Sequence, residues 1–171
     1  MSESFAPDEV DQIVAAWRRE RPDIDLLPLE VLSRVTRLAQ QLAVARSEAF
    51  HTHGLDGWEF DVLAALRRSG NPYEMSAGAL ADATHVTSGT MTNRIDRLSE
   101  RDLVMRAADP SDRRGVRVIL TELGRTTVDG ALTELVAREQ RVLSAITSAE
   151  QLATAATLRT LIQSTGSANG H

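Results

Sequence analysis

Residues 76–124 constrain this chain more than any other stretch: SAGALADATHVTSGTMTNRIDRLSERDLVMRAADPSDRRGVRVILTELG. Ser76 is a good N-cap for a short helix reaching Thr84. His85 and Val86 make a turn, and Thr87 or Ser88 caps a second helix that ends near Glu100. Two strands follow at 103–107 and 116–121, the second alternating Val116, Val118 and Leu120 with Arg117, Ile119 and Thr121. Between them DPSDRRG forms a turn with a charged tip. Thr121 caps the next helix, with Glu122 in its first turn. Helix, turn, helix and hairpin in this order predict a mainly α fold with a small β wing. That layout is a winged helix-turn-helix, whose second helix would enter the major groove of DNA.

The second helix carries two messages. With Met91 set at zero and about 100° per residue, Ile95 and Leu98 fall within about 40° of it and form the inward stripe. Thr90, Asn93 and Arg97 lie on the outward face with Gly89, Thr92 and Asp96, and Ser88 stands at the start. Asparagine suits adenine, arginine suits guanine and threonine suits a thymine methyl, while glycine lets a backbone come close. The expected DNA contacts are therefore Ser88, Gly89, Thr90, Thr92, Asn93 and Arg97. Arg113 and Arg114 at the wing tip are placed for phosphates or a narrow minor groove. Asp109 and Asp112 would brace that turn. Arg94 sits apart, about 60° from Met91, on the flank facing the protein body. A charge there needs a carboxylate, a carbonyl or an anionic ligand, and the helix alone does not choose among them.

The net charge of −5 looks wrong for a nucleic-acid partner until it is divided along the chain. Residues 86–121 hold seven arginines and five acids, a local +2, so the acids dominate elsewhere. All 19 basic residues are arginine, a side chain suited to phosphate. The chain has no cysteine, which removes disulfides, thiolate zinc sites and cysteine peroxide sensing together. With 171 residues and 42% apolar content it can build one core. The start MSESFAPDEVDQ lacks the features of a signal peptide. No run approaches the roughly 18 apolar residues of a spanning helix. A cytoplasmic protein without membrane contact is expected.

Around the central stretch lie further helices. Val10, Ile13, Val14 and Trp17 give residues 8–20 a helical stripe that Pro22 ends. Leu29, Leu32, Val35, Leu38, Leu42 and Ala45 define a helix over about 28–53, longer than a small core requires and so suited to a dimer interface. Residues 58–68 turn Val62, Leu63 and Leu66 inward. The helix from Thr121 runs to about Ile146, and Thr147 or Ser148 caps a last one through Ile162. The expected organisation is a single domain over 1–163. It comprises N-terminal helices at 8–53, a DNA-binding core at 58–121, dimerisation helices at 122–163 and a flexible tail at 164–171. His51 and His53 point apart on a helix, so neither a shared metal nor any cofactor is expected.

The wing DPSDRRGVRVILTELGR resembles the D-x-R-x-x-x-V-x-L-T signature of MarR-type regulators, and LADATHVTSGTMTNRIDRLSERDLV resembles their recognition region. The extra N-terminal helix ending in AAWRRERPDID, the WEFDVLAALRRSG helix and TNRIDRL resemble the urate-responsive, PecS-like branch. That branch uses a tryptophan on the extra helix, an aspartate before the helix-turn-helix, an arginine on the recognition helix and an arginine entering the wing. These fall on Trp17, Asp61, Arg94 and Arg106, which the resemblance implies as ligand-binding residues. Trp17 would offer a stacking surface, or act simply as a core tryptophan. Two arginines and an aspartate suit a urate-like purine or a polycarboxylate such as trans-aconitate.

The resemblance implies a homodimeric, ligand-responsive DNA-binding transcriptional regulator. It would act as a repressor on a palindromic operator in double-stranded DNA, released by a small anionic effector. A second reading is a winged-helix module for dimerisation or protein contact without operator binding. No phosphate loop and no nucleophile with a base partner argues for an enzyme.

Overall fold

The computed structural model describes residues 6–108 and 115–168. Along the chain lie α1 (Glu9–Glu20), α2 (Leu27–His51), α3 (Gly57–Arg68), β1 (Glu74–Ser76), α4 (Ala77–Ala83), α5 (Ser88–Glu100), β2 (Val104–Ala108), β3 (Val116–Leu120), α6 (Glu122–Leu143) and α7 (Ser148–Ala168). They divide into two compact units, residues 1–48 and 49–171.

The first unit holds α1 and all but the end of α2. Asp8 caps α1 and shares a capping box with Asp11, so two otherwise orphaned backbone N–H groups at the helix start are satisfied. Arginines of α2 then reach back to these acids. Arg34 donates to Asp8 at 2.8 Å and to Asp11 at 2.8 Å, Arg37 pairs with Glu9 at 3.1 Å, and Arg18 on α1 pairs with Glu30. The Arg34 guanidinium and the cap hydrogen bond hold the Asp8 carboxyl down at about 2. Between the helices Arg21 forks onto Asp23, in the linker opened by Pro22.

In the second unit the core forms where α3, α4, α5 and the sheet meet. Leu63, Leu66, Leu80, Met91, Ile95, Leu98 and Val118 are fully buried, and Phe50 stacks on Phe60 with centroids 4.1 Å apart. The expected inward stripe of α5 is the observed one. Ser76 caps α4 by accepting from the Ala79 N–H, and Thr87, not Ser88, caps α5 by accepting from Thr90. His85 takes a φ of 54° to make the turn between them. Thr121 caps α6 while its hydroxyl donates toward the carbonyls of Asp102 and Leu103. Gly124 is obligatory, because a Cβ there would stand 2.0 Å from the Leu103 carbonyl oxygen.

Two sequence-based expectations need correction. The wing is not a lone hairpin: β1 joins it in the order β1-β3-β2, all antiparallel, with Met75 opposite Val118 and Arg106 opposite Val118 on the other side. A three-residue strand is too short to show alternation, and its pairing partner lies some forty residues on. The tail placed at 164–171 is also not wholly a tail, since α7 continues as helix through Ala168.

Candidate nucleic-acid interface and sensor residues

The outward face of α5 is open. Ser88, Gly89, Thr90, Thr92, Asn93 and Arg97 are all exposed, in one polar surface around the first three turns. The Thr92 hydroxyl donates to the Ser88 carbonyl at 3.0 Å, and Thr90 Oγ1 lies 3.0 Å from Thr87 Oγ1. A Cβ at Gly89 would meet nothing within 4 Å, so packing within the chain gives no reason for a glycine there. Arg113 and Arg114, with Asp109 and Asp112, lie outside the described residues.

Arg94 has a partner that its helical position did not foretell. Its guanidinium stands over the ring of Trp58, 5.4 Å from the centroid, and Arg97 stands 4.9 Å from the same ring. Neither arginine has a carboxylate partner among the described residues. A cation over an indole face gains about 0.5–1 kcal/mol at an exposed site, enough to orient a side chain without neutralising it. Trp58, Gly89, Thr90, Asn93, Arg94 and Arg97 together line a concavity of about 500 Å³. Trp58 is half-buried in the first turn of α3 and packs against the core.

The other expected sensor residues have surroundings of their own. Arg106 on β2 pairs with Asp96 at 2.5 Å and reaches the Thr92 carbonyl at 3.4 Å. Asp96 is about 160° around α5 from Arg94, so the two arginines expected to bind a ligand lie against opposite flanks of one helix. Asp61 is exposed on α3, one turn beyond Trp58, and among the described residues it forms no hydrogen bond or ion pair with Arg94. Trp17, in the first unit, is 51% exposed rather than a buried core residue. His53 rests against Gly130, where a Cβ would come within 2.7 Å of its ring. Among the described residues no three His, Cys, Asp or Glu side chains are grouped to hold a metal ion.

Known proteins resemble this chain in sequence and in fold. A family model described as the MarR family matches residues 53–115. Over 143 residues the chain is 35% identical to the HTH-type transcriptional regulator PecS of Dickeya dadantii, covering 84% of this chain and 86% of that protein. The chain belongs to the MarR family. It is also 29% identical over 145 residues to the HTH-type transcriptional repressor NicR of Pseudomonas putida, with 82% of this chain and 90% of that one covered. Among solved structures it is similar to Bordetella bronchiseptica BpsR, whose DNA binding is regulated by 6-hydroxynicotinic acid. That match has a TM-score of 0.57 and 29% identity, and covers 75% of this chain and 98% of the other.

As a MarR-family member the protein is a DNA-binding transcriptional regulator and not an enzyme. Among the described residues no helix is long and apolar enough to cross a membrane. Trp58 is the residue that sequence reasoning missed in this MarR-family fold. A tryptophan at the start of an amphipathic helix reads as core, and half of it is. Nothing local to 58 reveals that the first turn of α3 faces α5.

Proposed function

We propose that the protein works as a homodimeric repressor that reads a palindromic operator with α5 and is released by a small anionic ligand. The observation that carries the DNA side is the exposed polar face of α5, where Asn93 and Arg97 have no carboxylate partner among the described residues and Gly89 has no packing role. Two such helices related by a two-fold axis read half-sites about one helical turn apart. Arg113 and Arg114 would add phosphate contacts from the wing.

Dimerisation is supported by apolar surface left open on the second unit. The 21-residue helix α7 has no buried residue among those described, and it exposes Leu152, Leu158, Leu161 and Ile162. Helix α6 adds Leu132, Val136, Val142 and Leu143. Patches of this extent on a monomer mark an association surface.

Release by an anion is supported by Arg94, a cation held by a ring face. Trp17, Asp61 and Arg106 complete the proposed ligand set; Arg106 pairs with Asp96 on the flank of α5 opposite Arg94, so sharing one anion requires the wing to move against α5 as well as that pair to open. The similarity to the repressor NicR favours repression. The similarity to BpsR, regulated by 6-hydroxynicotinic acid, favours a small heteroaromatic acid as one chemistry that fits. A urate-like purine or a polycarboxylate such as trans-aconitate fits the same charges.

Gel shifts on DNA from upstream of the protein's own gene, with urate and trans-aconitate titrated in, test this reading. A specific complex that dissolves with one of the anions is expected. Absence of any specific complex at moderate salt sinks the operator claim, and a complex indifferent to every anion sinks the sensor claim. A winged-helix interaction module without operator binding would keep its dimer while showing no salt-sensitive DNA affinity.

A further inference from the structure

We propose that the Trp58 indole couples Arg94 to Arg97, so that an anion drawing Arg94 off the ring resets the side chain that reads the operator. This coupling rests on the operator reading above and names the contact through which it is regulated. Both guanidinium groups stand over one ring, at 5.4 Å and 4.9 Å, and they are one helical turn apart. Two like charges at this spacing repel, and one indole offers a limited electron-rich surface. The pose of each arginine therefore depends on the other.

The ring is the fixed member of the trio. Trp58 packs on the core, and the start of α3 is pinned by a capping box between Asp56 and Glu59. Glu59 in turn accepts from Arg101 at 2.6 Å, at the far end of α5. What can move is the pair of arginine side chains. They line the same concavity as Gly89, Thr90 and Asn93, so its mouth belongs to the operator-reading face. Pairing Arg94 with an anion cancels its repulsion of Arg97 and frees ring surface for Arg97 to settle on. Arg97 is thereby held back from a base edge. Linkage requires the reverse as well: an operator that draws Arg97 outward must change the affinity of Arg94 for the anion by the same factor.

The coupling can be tested without knowing the effector, because Arg94→Gln imitates the loss of the Arg94 charge. Dissociation constants for the best-retained upstream duplex would be measured for R94Q, R97Q and the double variant, each made in wild-type, W58F, W58L and W58M chains. In wild-type and W58F chains the double variant should depart from the product of the singles by about three- to tenfold. In W58L and W58M, which keep apolar volume for the core but no π face, the departure should fall below about twofold. Equal departures in all backgrounds overturn the proposal. NMR of the arginine Nε–Hε groups in the DNA-free protein gives a second readout. The Arg97 signal should shift in R94Q and stay put when R94Q is made on W58M. An Arg97 signal indifferent to R94Q overturns the coupling whatever the DNA does. A wild-type protein with no preferred duplex overturns the operator reading instead, and the NMR result then decides the coupling alone.

Discussion

Arg101, at the C-cap of α5, donates to a carboxylate oxygen of Glu59 at 2.6 Å and to the Gly54 carbonyl at 2.8 Å, and Glu59 is only 3% exposed. The end of α5, the proposed operator-reading helix, is thus tied to the start of α3 through the one buried charged residue among those described. Removing the cation should cost about 2–3 kcal/mol, because the buried carboxylate keeps only the Asp56 N–H on its other oxygen and loses its counter-charge. Arg101→Ala should show this loss in urea denaturation, whereas Glu59→Gln, which keeps a hydrogen-bond acceptor, should lose less. Equal stability of R101A and wild type would show that the pair holds nothing.

Gly124 makes a sharper prediction. A methyl group at this position would collide with backbone, the Leu103 carbonyl, and with the Leu120 side chain at 2.9 Å. Relief requires α6 to slide away from the wing, so Gly124→Ala should destabilise by about 1–3 kcal/mol or more. Thermal melting checks the loss. A gain in stability, the usual result of replacing glycine in an exposed helix, would contradict the close approach.

Acid should loosen the first unit in a defined window. Arg34 and the cap hydrogen bond lower Asp8 from 3.8 to about 2, so the folded state favours the ionised carboxyl. Its contribution is complete above the ordinary carboxylate value and is lost as the pH falls through about 2. The protection factors of α1 amides, taken relative to the intrinsic exchange rate at each pH, should therefore fall over that window in wild type. In Asp8→Asn the lower protection should be present already at neutral pH, with little further change from this site on acidification.

The proposed operator contacts divide by chemistry on α5. Arg97→Ala and Asn93→Ala should each weaken specific binding by about 1–3 kcal/mol and relax preference at one base position, with non-specific affinity falling less. Gly89→Ala should leave the melting temperature unchanged or raise it slightly, since the position is open and alanine favours helix. If DNA backbone or a base edge comes close at this point, the same methyl should lower operator affinity. Fluorescence anisotropy on specific and scrambled duplexes separates these effects. Full affinity in G89A would remove Gly89 from the interface.

Periodicity and capping chemistry were enough to locate the helices, because both are local. Met91, Ile95 and Leu98 turn inward by their spacing, and Ser76 and Thr121 cap by their hydroxyls, whatever the rest of the chain does. The outward set on α5 follows from the same wheel, as does the odd position of Arg94. What the wheel could not supply was the partner. Only the packing of α3 beside α5 brings Trp58 under Arg94 and Arg97. Only the pairing of β2 with β3 carries Arg106 to Asp96, on the opposite flank from Arg94. The third strand, β1, was equally hidden, since three residues carry no period and their partner is distant in sequence. The sequence alone determined which residues face out and which face in, a matter of spacing along each element. Tertiary structure alone decided which outward charges meet, because cation–π contacts and ion pairs depend on distances across elements that no local pattern encodes.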